Sequence, residues 1–351
     1  MPSRELRERA PELAFLGHNS SEGGAVVVIL VATDREVVVI DVERGTGATA
    51  HGIDDRPTCL TADPLVRGRA WCGTHRNGLF RTDDGGTSWQ SVGLAGRLIM
   101  AVTASPADRD VVWVGTEPSE VWRSRDAGST WEQTSTLETL SSSSEWSFPP
   151  RPDTHHVRWM ACHPLEPERL WVAIEAGALV STVDGGRTWS DRVPGGPRDT
   201  HELAIHRGAP DTLRVSAGDG YFESDDAGAT WRSPKFGLEV GYLRSVAIDP
   251  EQPEVVVVSA SSGPYSAYLA GRSDGRLYRR LTHERWERVR DGWPEPASTI
   301  APLLCAGVKG GELWAADERG VHRSDDGGKS WRRAVGYATS PQHLRGLASM
   351  R

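Results

Sequence analysis

The chain has 351 residues, of which 38% are hydrophobic and 25% are charged, and it contains 38 Gly, 22 Pro and 14 Trp. This composition is typical of a turn-rich globular protein and excludes an intrinsically disordered chain. The net charge of −8 argues against a nucleic-acid partner, because phosphate binding requires a concentrated basic surface.

The N-terminal region predicts neither a secretory signal nor a membrane span. Residues 1–17 mix acidic and basic side chains and lack the apolar core of a signal peptide. The longest apolar run, AVVVILVA at 25–32, is too short to cross a bilayer and predicts a buried strand. We therefore expect a cytoplasmic protein with no membrane partner.

Residues 24–52 predict three strands, within AVVVILVA, REVVVID and GATAHGI, and offer no innermost fourth strand. The cysteines lie further along, in apolar segments without the CxxC spacing of a zinc site, and we expect them to be buried, reduced thiols. They are Cys59, Cys72, Cys162 and Cys305. An alternative for the first two is that they face each other on neighbouring strands.

An eight-residue motif, S/T-x-D-x-G-x-x-W, occurs five times along the chain. Its copies span 82–89, 124–131, 182–189, 224–231 and 324–331, and their aspartates are Asp84, Asp126, Asp184, Asp226 and Asp326. A degenerate copy ends at Trp286. With that copy included, the closing tryptophans are 42, 58, 42, 55 and 45 residues apart. A period of about 40 to 50 residues is typical of the four-stranded blades of a β-propeller.

The motif resembles the Asp-box repeat of bacterial neuraminidases, over about residues 56–334. This resemblance implies that each copy lies on the hairpin between the third and fourth strands of a blade. The residues give a physical reason: the Asp carboxylate accepts backbone N–H groups across the turn, and the Gly adopts a left-handed conformation at little cost. The Trp would cap the gap between adjacent sheets. We therefore expect the five aspartates to be structural, not catalytic.

Counting the repeats predicts an all-β fold, a single seven-bladed β-propeller occupying residues 1–351. Six blades span 56–92, 96–134, 155–192, 200–234, 242–289 and 299–334. The seventh is a composite blade formed by 24–52 and a C-terminal strand within 342–350, since Leu344 to Ala348 align with the innermost strand that contains Arg244. Such closure removes the exposed sheet edges and holds the ring together.

The resemblance places ligands on the face opposite the motif, over the central channel. Aligning the innermost strands puts one residue of each blade at the channel mouth: Thr58, Met100, Arg158, His201, Arg244, Pro302 and Arg345. The predicted ligand-binding residues are Arg158, Arg244, Arg345, His75, His343 and Tyr265. The planar fork of arginine suits a carboxylate, phosphate or sulfate. The alternative is that the three arginines form ion pairs with Glu175, Asp219 or Asp317.

The predicted catalytic residues are His201, His156 and Glu175. An imidazole titrates near neutral pH and is suited to be the general base. Glu175 or Glu202 would then serve as the acid or orient the imidazole. We expect no cofactor, because no HxH or HxxxH pair supports a metal site. A metal held by His75, His156, His201 and Glu175 is the less favoured alternative.

Two insertions, 132–154 and 259–275, are predicted on the same face, where long loops in a compact repeat are often functional. Trp146, Phe148, Tyr265 and Tyr268 would form an aromatic wall or lid, and a protein partner could bind through 132–154.

Relatives implied by the resemblance include sialidases, xyloglucan-degrading glucanases and photosystem II assembly factors. Sialidase activity is disfavoured, because sialidases with this repeat have six blades. We predict that the chain binds a small anionic or sugar-like ligand and acts as a glycosidase-like hydrolase or a lyase. The alternative is a non-enzymatic scaffold for protein interactions.

Overall fold

A computed structural model describes residues 27–294 and 299–350 of the chain. It contains seven antiparallel sheets arranged around a central axis, which confirms the predicted all-β, seven-bladed propeller. Residues 24–26 of the predicted first blade lie outside the described residues. In the part of the chain that is described, no helix has both the length and the apolar character needed to cross a membrane.

The first blade combines both ends of the chain, as predicted. From the axis outward its strands are β26 (Leu344–Met350), β1 (Val28–Thr33), β2 (Val37–Asp41) and β3 (Thr46–Thr49). Strand β26 pairs antiparallel with β1, with Val31 opposite Leu347. The backbone hydrogen bonds of this pair therefore close the ring.

The other blades follow in chain order, each with its first strand innermost. Blade 2 contains β4 (Pro57–Ala62), β5 (Ala70–Thr74), β6 (Leu79–Thr82) and β7 (Gln90–Ser91). Blade 3 contains β8 (Leu98–Ala104), β9 (Val112–Glu117), β10 (Val121–Ser124) and β11 (Glu132–Gln133). Blade 4 contains β12 (Val157–Cys162), β13 (Leu170–Ile174) and β14 (Ala178–Thr182).

Blade 5 contains β15 (Thr200–His206), β16 (Ala209–Ala217) and β17 (Gly220–Ser224). Blade 6 contains β18 (Tyr242–Ile248), β19 (Val255–Ser261), β20 (Arg276–Leu281) and β21 (Glu287–Arg288). Blade 7 contains β22 (Leu303–Ala306), β23 (Leu313–Asp317), β24 (Gly320–Ser324) and β25 (Arg332–Gly336). In blades 4 and 5 an isolated bridge replaces the fourth strand, Ser181 to Ser190 and Glu223 to Arg232.

The repeated motif forms a closed hydrogen-bonded turn after the third strand of its blade. In the third copy, Asp184 accepts hydrogen bonds from the Thr182 hydroxyl at 2.9 Å, the Thr188 backbone N–H at 2.9 Å and the Thr188 hydroxyl at 2.6 Å. Gly186, with φ at +82°, donates its N–H to the Thr182 hydroxyl. The other four copies repeat this pattern at Asp84, Asp126, Asp226 and Asp326.

These hydrogen bonds lower the pKa values of the motif aspartates. For Asp126, Asp184 and Asp226 the hydrogen bonds donated by the threonine four residues on are the main cause, and the pKa falls to about 2. All donors belong to the aspartate's own turn, so the carboxylates stabilise hairpins and do not face a ligand site. One of the closing tryptophans also links two blades, since the Trp131 indole donates to the Val92 carbonyl of blade 2.

The hydrophobic core is divided among the spaces between adjacent blades. Trp71 of blade 2, for example, packs with Val112 and Val114 of blade 3. Adjacent blades approach each other closely where a strand has a glycine in place of a residue with a side chain. A Cβ at Gly73 would lie 2.5 Å from the Cys59 sulfur and 2.5 Å from Ile99 Cγ2. All four cysteines are free thiols, and three of them are buried.

The innermost strands share a β-bulge that the sequence pattern did not reveal. In β12, Val157 pairs with Ile174 and Trp159 with Ala173, which leaves Arg158 as the extra residue. The same irregularity leaves one residue unpaired in five other blades: Thr58, Met100, His201, Arg244 and Arg345. A bulge re-aims a side chain without disturbing the residues on either side. It thereby places these six side chains at the channel.

Candidate functional site

A cavity of about 340 Å³ opens at the channel end where the innermost strands begin. All six bulge residues line it, together with His156, Glu175, Glu202 and His343. Further lining comes from Phe148, Arg151, Trp159 and Tyr268. The cavity lies within the range of small-molecule sites, about 300–1,000 Å³. The strand order places it on the face opposite the motif turns.

The structure brings together seven of the nine residues predicted for the site. These are Arg158, Arg244, Arg345, His156, His201, Glu175 and His343. His75 is not part of the lining. In the turn that follows it, Asp55 accepts the backbone N–H groups of Arg76 and Asn77. Tyr265 is 68% exposed and also lies outside the lining. Tyr268, three residues along the same short helix, occupies the cavity wall instead.

The seventh channel position also differs from the prediction. Pro302 was expected at the mouth, but Leu303 and Leu304 line the cavity in blade 7. Strand β22 begins only at Leu303, so this blade has no bulge at the corresponding point.

Only one of the three arginines has a carboxylate within ion-pairing distance among the described residues. Arg158 lies 3.5 Å from Glu175. Within residues 27–294 and 299–350, neither Arg244 nor Arg345 has a carboxylate oxygen within 4.0 Å. The remaining alternative partners, Asp219 and Asp317, therefore do not pair with them; Asp317 instead contacts Thr299, Arg319 and His322.

Arg244 is 3% exposed and is held by backbone carbonyls. It donates to Ala301 at 2.6 Å and to Leu344 at 3.1 Å, which belong to the two following blades. Its guanidinium lies over the Tyr268 ring, 4.6 Å from the centroid. Burial, together with repulsion from Arg158 and Arg345, lowers the pKa of Arg244 to about 10. The group is therefore still a cation at neutral pH, in a cluster of like charge.

His156 links two carboxylates along one wall. Its Nε2 lies 2.6 Å from Glu175, and its Nδ1 lies 3.6 Å from Glu117. Glu117 in turn accepts two hydrogen bonds from Arg151, at 2.6 and 2.7 Å. Burial alone would raise the pKa of Glu175, but the hydrogen bond from His156 and the charge of Arg158 hold it at about 2. Glu175 is therefore ionised and already paired.

His201 has a defined tautomer. Its Nδ1 lies 2.6 Å from the Leu243 carbonyl, which can only accept, so Nδ1 carries the proton. In the neutral ring the lone pair is then on Nε2, which lies 3.4 Å from the Tyr242 hydroxyl and 3.7 Å from Asp199. Burial lowers the pKa of His201, and Arg158 acts in the same direction, against Asp199 and Glu175. The ring is thus neutral near pH 7.

Glu202 is a buried carboxyl group in the same cavity. It accepts a hydrogen bond from the Ser245 hydroxyl, which itself accepts the Leu304 backbone N–H at 2.9 Å. Burial raises the pKa of Glu202 to about 8, although Ser245 and Arg158 act in the opposite direction. The side chain therefore carries a proton at neutral pH.

One group of side chains has the composition of a metal site. The donor atoms of Glu175, Asp199 and His201 all lie within 4.8 Å of one another. Glu175 Oε2 is already bonded to His156 and lies close to Arg158. An added cation would compete with both partners, so these residues fit a metal poorly. The predicted alternative set shares only His201 and Glu175 with this group.

The two insertions contribute unequally to the wall. In 132–154, Trp146 is buried in the core and donates to the Ser142 hydroxyl, so it is not the exposed aromatic that was expected. Phe148 does line the cavity and packs edge-on against His156, with 4.8 Å between ring centroids. In 259–275, the helix α1 (Pro264–Tyr268) brings Tyr268 to the wall.

Comparison with family models and with curated proteins finds no match. Solved structures do match. The GH74 enzyme from Niastella koreensis is 14% identical, with a TM-score of 0.66 over 88% of this chain and 52% of that one. The GH74 xyloglucanase from Xanthomonas campestris is 16% identical, with a TM-score of 0.66 over 92% and 52% of the two chains. This chain thus spans about half the length of those enzymes.

A third similar structure is YCF48 bound to D1 peptide. It is 16% identical, with a TM-score of 0.56 over 89% of this chain and 87% of that one. Identities this low establish a shared seven-bladed propeller fold and nothing finer. The fold accommodates both glycosidases and a peptide-binding protein.

Proposed function

We propose that this chain binds a small carboxylate-bearing molecule, of sugar-like chemistry, in the axial cavity and acts on it as a hydrolase or lyase. The observation that carries the proposal is the excess of positive charge at Arg158, Arg244 and Arg345. Buried or clustered charges are costly unless paired. An anionic ligand would supply the missing partner, and the arginine fork suits a carboxylate.

Either type of reaction has candidate groups in the lining. Glu175 is ionised and Glu202 is protonated, and carboxyl groups with pKa values pushed apart are typical of an acid and base pair. This supports a glycosidase-like hydrolase. The neutral imidazole of His201 supports a lyase.

The repeated turns support assignment of the chain to the Asp-box propellers. Each copy combines the hydroxyl, aspartate and glycine of that family in a closed set of hydrogen bonds. Assignment to this group adds no site residue, because the turns lie on the opposite face.

A non-enzymatic scaffold is the second candidate, and the match to YCF48 bound to D1 peptide over most of both chains favours it. This candidate needs an accessible apolar surface on the cavity face. Of the four aromatic residues expected there, Tyr265 is exposed, whereas Trp146 is buried and Phe148 and Tyr268 are half-buried. The insertion 132–154 remains the candidate docking segment.

Thermal unfolding with small anions tests the first proposal. We expect galacturonate or glucuronate, at a hundredfold excess over Kd, to stabilise the chain by about 2.7 kcal/mol. Arg345→Gln should weaken binding about 10- to 100-fold, since a hydrogen bond to a charged group contributes roughly 1.5–3 kcal/mol. Arg345 forms no ion pair within 4.0 Å in the described part of the chain, so its replacement spares the fold.

The matched control is Arg187→Gln, which removes an exposed arginine from a motif turn on the opposite face. It should leave the ligand-induced shift unchanged. If no carboxylate, phosphate or sulfate shifts the melting temperature of the wild type, the cavity is not an anion site. Binding of a protein that is lost on deletion of 132–154 would then support the scaffold.

A further inference from the structure

The position of His201 limits the class of reaction that the cavity could catalyse. Its ring is 1% exposed, yet the bulge in β15 turns it toward the axis, where it lines the cavity. The Leu243 carbonyl fixes the proton on Nδ1 at 2.6 Å. The electron pair on Nε2 therefore has a fixed direction, as a general base requires.

The Tyr242 hydroxyl is the group nearest to that electron pair. It lies 3.4 Å from Nε2, and the two rings are in contact, with centroids 5.0 Å apart. The other charged groups that act on His201 are Asp199, Arg158 and Glu175. A base and a hydroxyl acid thus stand side by side, next to the arginine cluster.

This combination favours removal of a proton next to a carboxylate. A hydrogen on the carbon α to a carboxylate is a very weak acid, because its removal places further negative charge on the carboxylate. Cationic guanidinium groups stabilise that charge as it develops. Arg158 and Arg345 are placed to do so, while Arg244 is fixed by backbone carbonyls.

We propose that the cavity catalyses β-elimination from a 4-O-linked uronate, with His201 as the base that removes the proton α to the carboxylate. This inference rests on the proposed function and names its substrate class. Among carboxylated sugars, a 4-linked uronate carries the acidic C–H and a leaving oxygen on adjacent carbons. The half-buried rings of Tyr268 and Phe148 in the wall provide apolar surface for a sugar.

The step balances without a co-reactant. Nε2 of His201 takes the proton from C5, the C–H electron pair forms the C4–C5 double bond, and the C4–O bond breaks. The leaving oxygen takes the proton of the Tyr242 hydroxyl. The resulting phenolate then recovers a proton from the imidazolium Nε2–H beside it, which restores both groups.

Hydrolysis through the carboxyl pair is less well supported by the contacts. Glu175 already binds His156 at 2.6 Å and lies 3.5 Å from Arg158, which makes it a weak base or nucleophile. Glu202 is bonded to Ser245 at the channel wall. His201, by contrast, is a lining base whose Nε2 electron pair has a direction fixed by the hydrogen bond from Nδ1 to Leu243.

The test uses 4-linked oligogalacturonate and oligoglucuronate with the full chain. Elimination creates a double bond conjugated to the carboxylate, which is followed by its ultraviolet absorbance, together with new reducing ends. We expect His201→Ala to lower kcat/KM about 10²- to 10⁴-fold, the usual contribution of a general base. His206→Gln, on the same strand but outside the lining, should leave it unchanged.

Tyr242→Phe is a second variant, which keeps the ring that packs on His201. It tests the mechanism even if the histidine variant does not fold. It should lower kcat with little change in KM. Because the base must be neutral, kcat/KM of the wild type should fall on acidification with a midpoint below pH 6.5. Tyr242→Phe should retain that acid limb, which a merely structural role of His201 would not produce.

The outcomes separate the two proposals. New reducing ends without ultraviolet absorbance would show hydrolysis and overturn the elimination. The elimination would also be overturned if the oligomers remain intact but raise the melting temperature of the wild type and not of Arg345→Gln. That result would support the anion site. If the oligomers neither bind nor react, the elimination is overturned, and the melting-temperature test with small anions decides separately whether the anion site stands.

Discussion

Glu202 keeps its proton at neutral pH because its carboxyl group is buried at the channel wall. Its folded pKa of about 8 lies above the ordinary value of 4.5. A raised pKa means that the folded state binds the proton more tightly than the unfolded chain does. The stability associated with this group is therefore complete below about pH 4.5 and is lost as the pH rises toward 8.

This gives a prediction for Glu202→Gln. The amide is neutral at every pH and can still accept the Ser245 hydrogen bond. The stability of the variant should therefore not fall as the pH rises. We expect its melting temperature to match the wild type at pH 4 and to exceed it increasingly up to pH 8. Each unit by which the folded pKa exceeds the unfolded pKa corresponds to about 1.4 kcal/mol of stability.

The control is Glu254→Gln, at an exposed position, whose melting temperature should follow the wild type across the range. A Glu202→Gln variant that is less stable than the wild type at pH 8 would contradict a raised pKa for the buried carboxyl.

At the residue scale, the sequence was informative about the innermost strands. Aligning their first residues identified Arg158, His201, Arg244 and Arg345, because one residue per blade repeats at the same point. It identified Tyr268 only as one member of an aromatic wall or lid, and it did not identify Arg151, because these positions depend on how the two insertions fold. His75 lies outside the lining, next to a turn whose backbone N–H groups are bound by Asp55.

At the element scale, the bulge does the most to create the cavity. Without the extra residue, a side chain at Arg158 or His201 would point into the space between two blades. With it, the flanking residues remain in the interblade core while the bulged residue reaches the axis. The period-2 pattern of strands predicts pairing but not such an interruption, so this feature was absent from the sequence interpretation.

Close packing of neighbouring blades yields a second prediction at this scale. In Gly73→Ala, the added methyl group would lie 2.5 Å from both Cys59 and Ile99, so blades 2 and 3 must separate slightly. Overpacking of this kind costs about 1–3 kcal/mol. Chemical denaturation should show this loss, and Gly241→Ala, with no atom within 4 Å of the new methyl, should not. Equal stability of the two variants would contradict the packing described here.

At the scale of the whole molecule, ring closure was predictable because the N-terminal segment lacked an innermost strand and the C-terminal segment resembled one. The pairing of β26 with β1 confirms that reasoning. The blade count followed from the spacing of the motif. The ligand could not be predicted from the sequence, because the same fold occurs in a GH74 xyloglucanase and in YCF48 bound to D1 peptide.

The proposed function therefore depends on the charge at one end of the channel. Three arginines from blades 4, 6 and 1 meet there, with a single carboxylate within ion-pairing distance of them in the described ranges. Seven strand beginnings converge at that point, which is why residues far apart in sequence line one cavity.

The most direct test is a crystal structure of the chain grown with galacturonate. The account predicts the sugar in the axial cavity, with its carboxylate within hydrogen-bonding distance of Arg158 and Arg345 and its C5 facing Nε2 of His201. An empty cavity at saturating ligand, or arginine side chains turned outward into solvent, would contradict it.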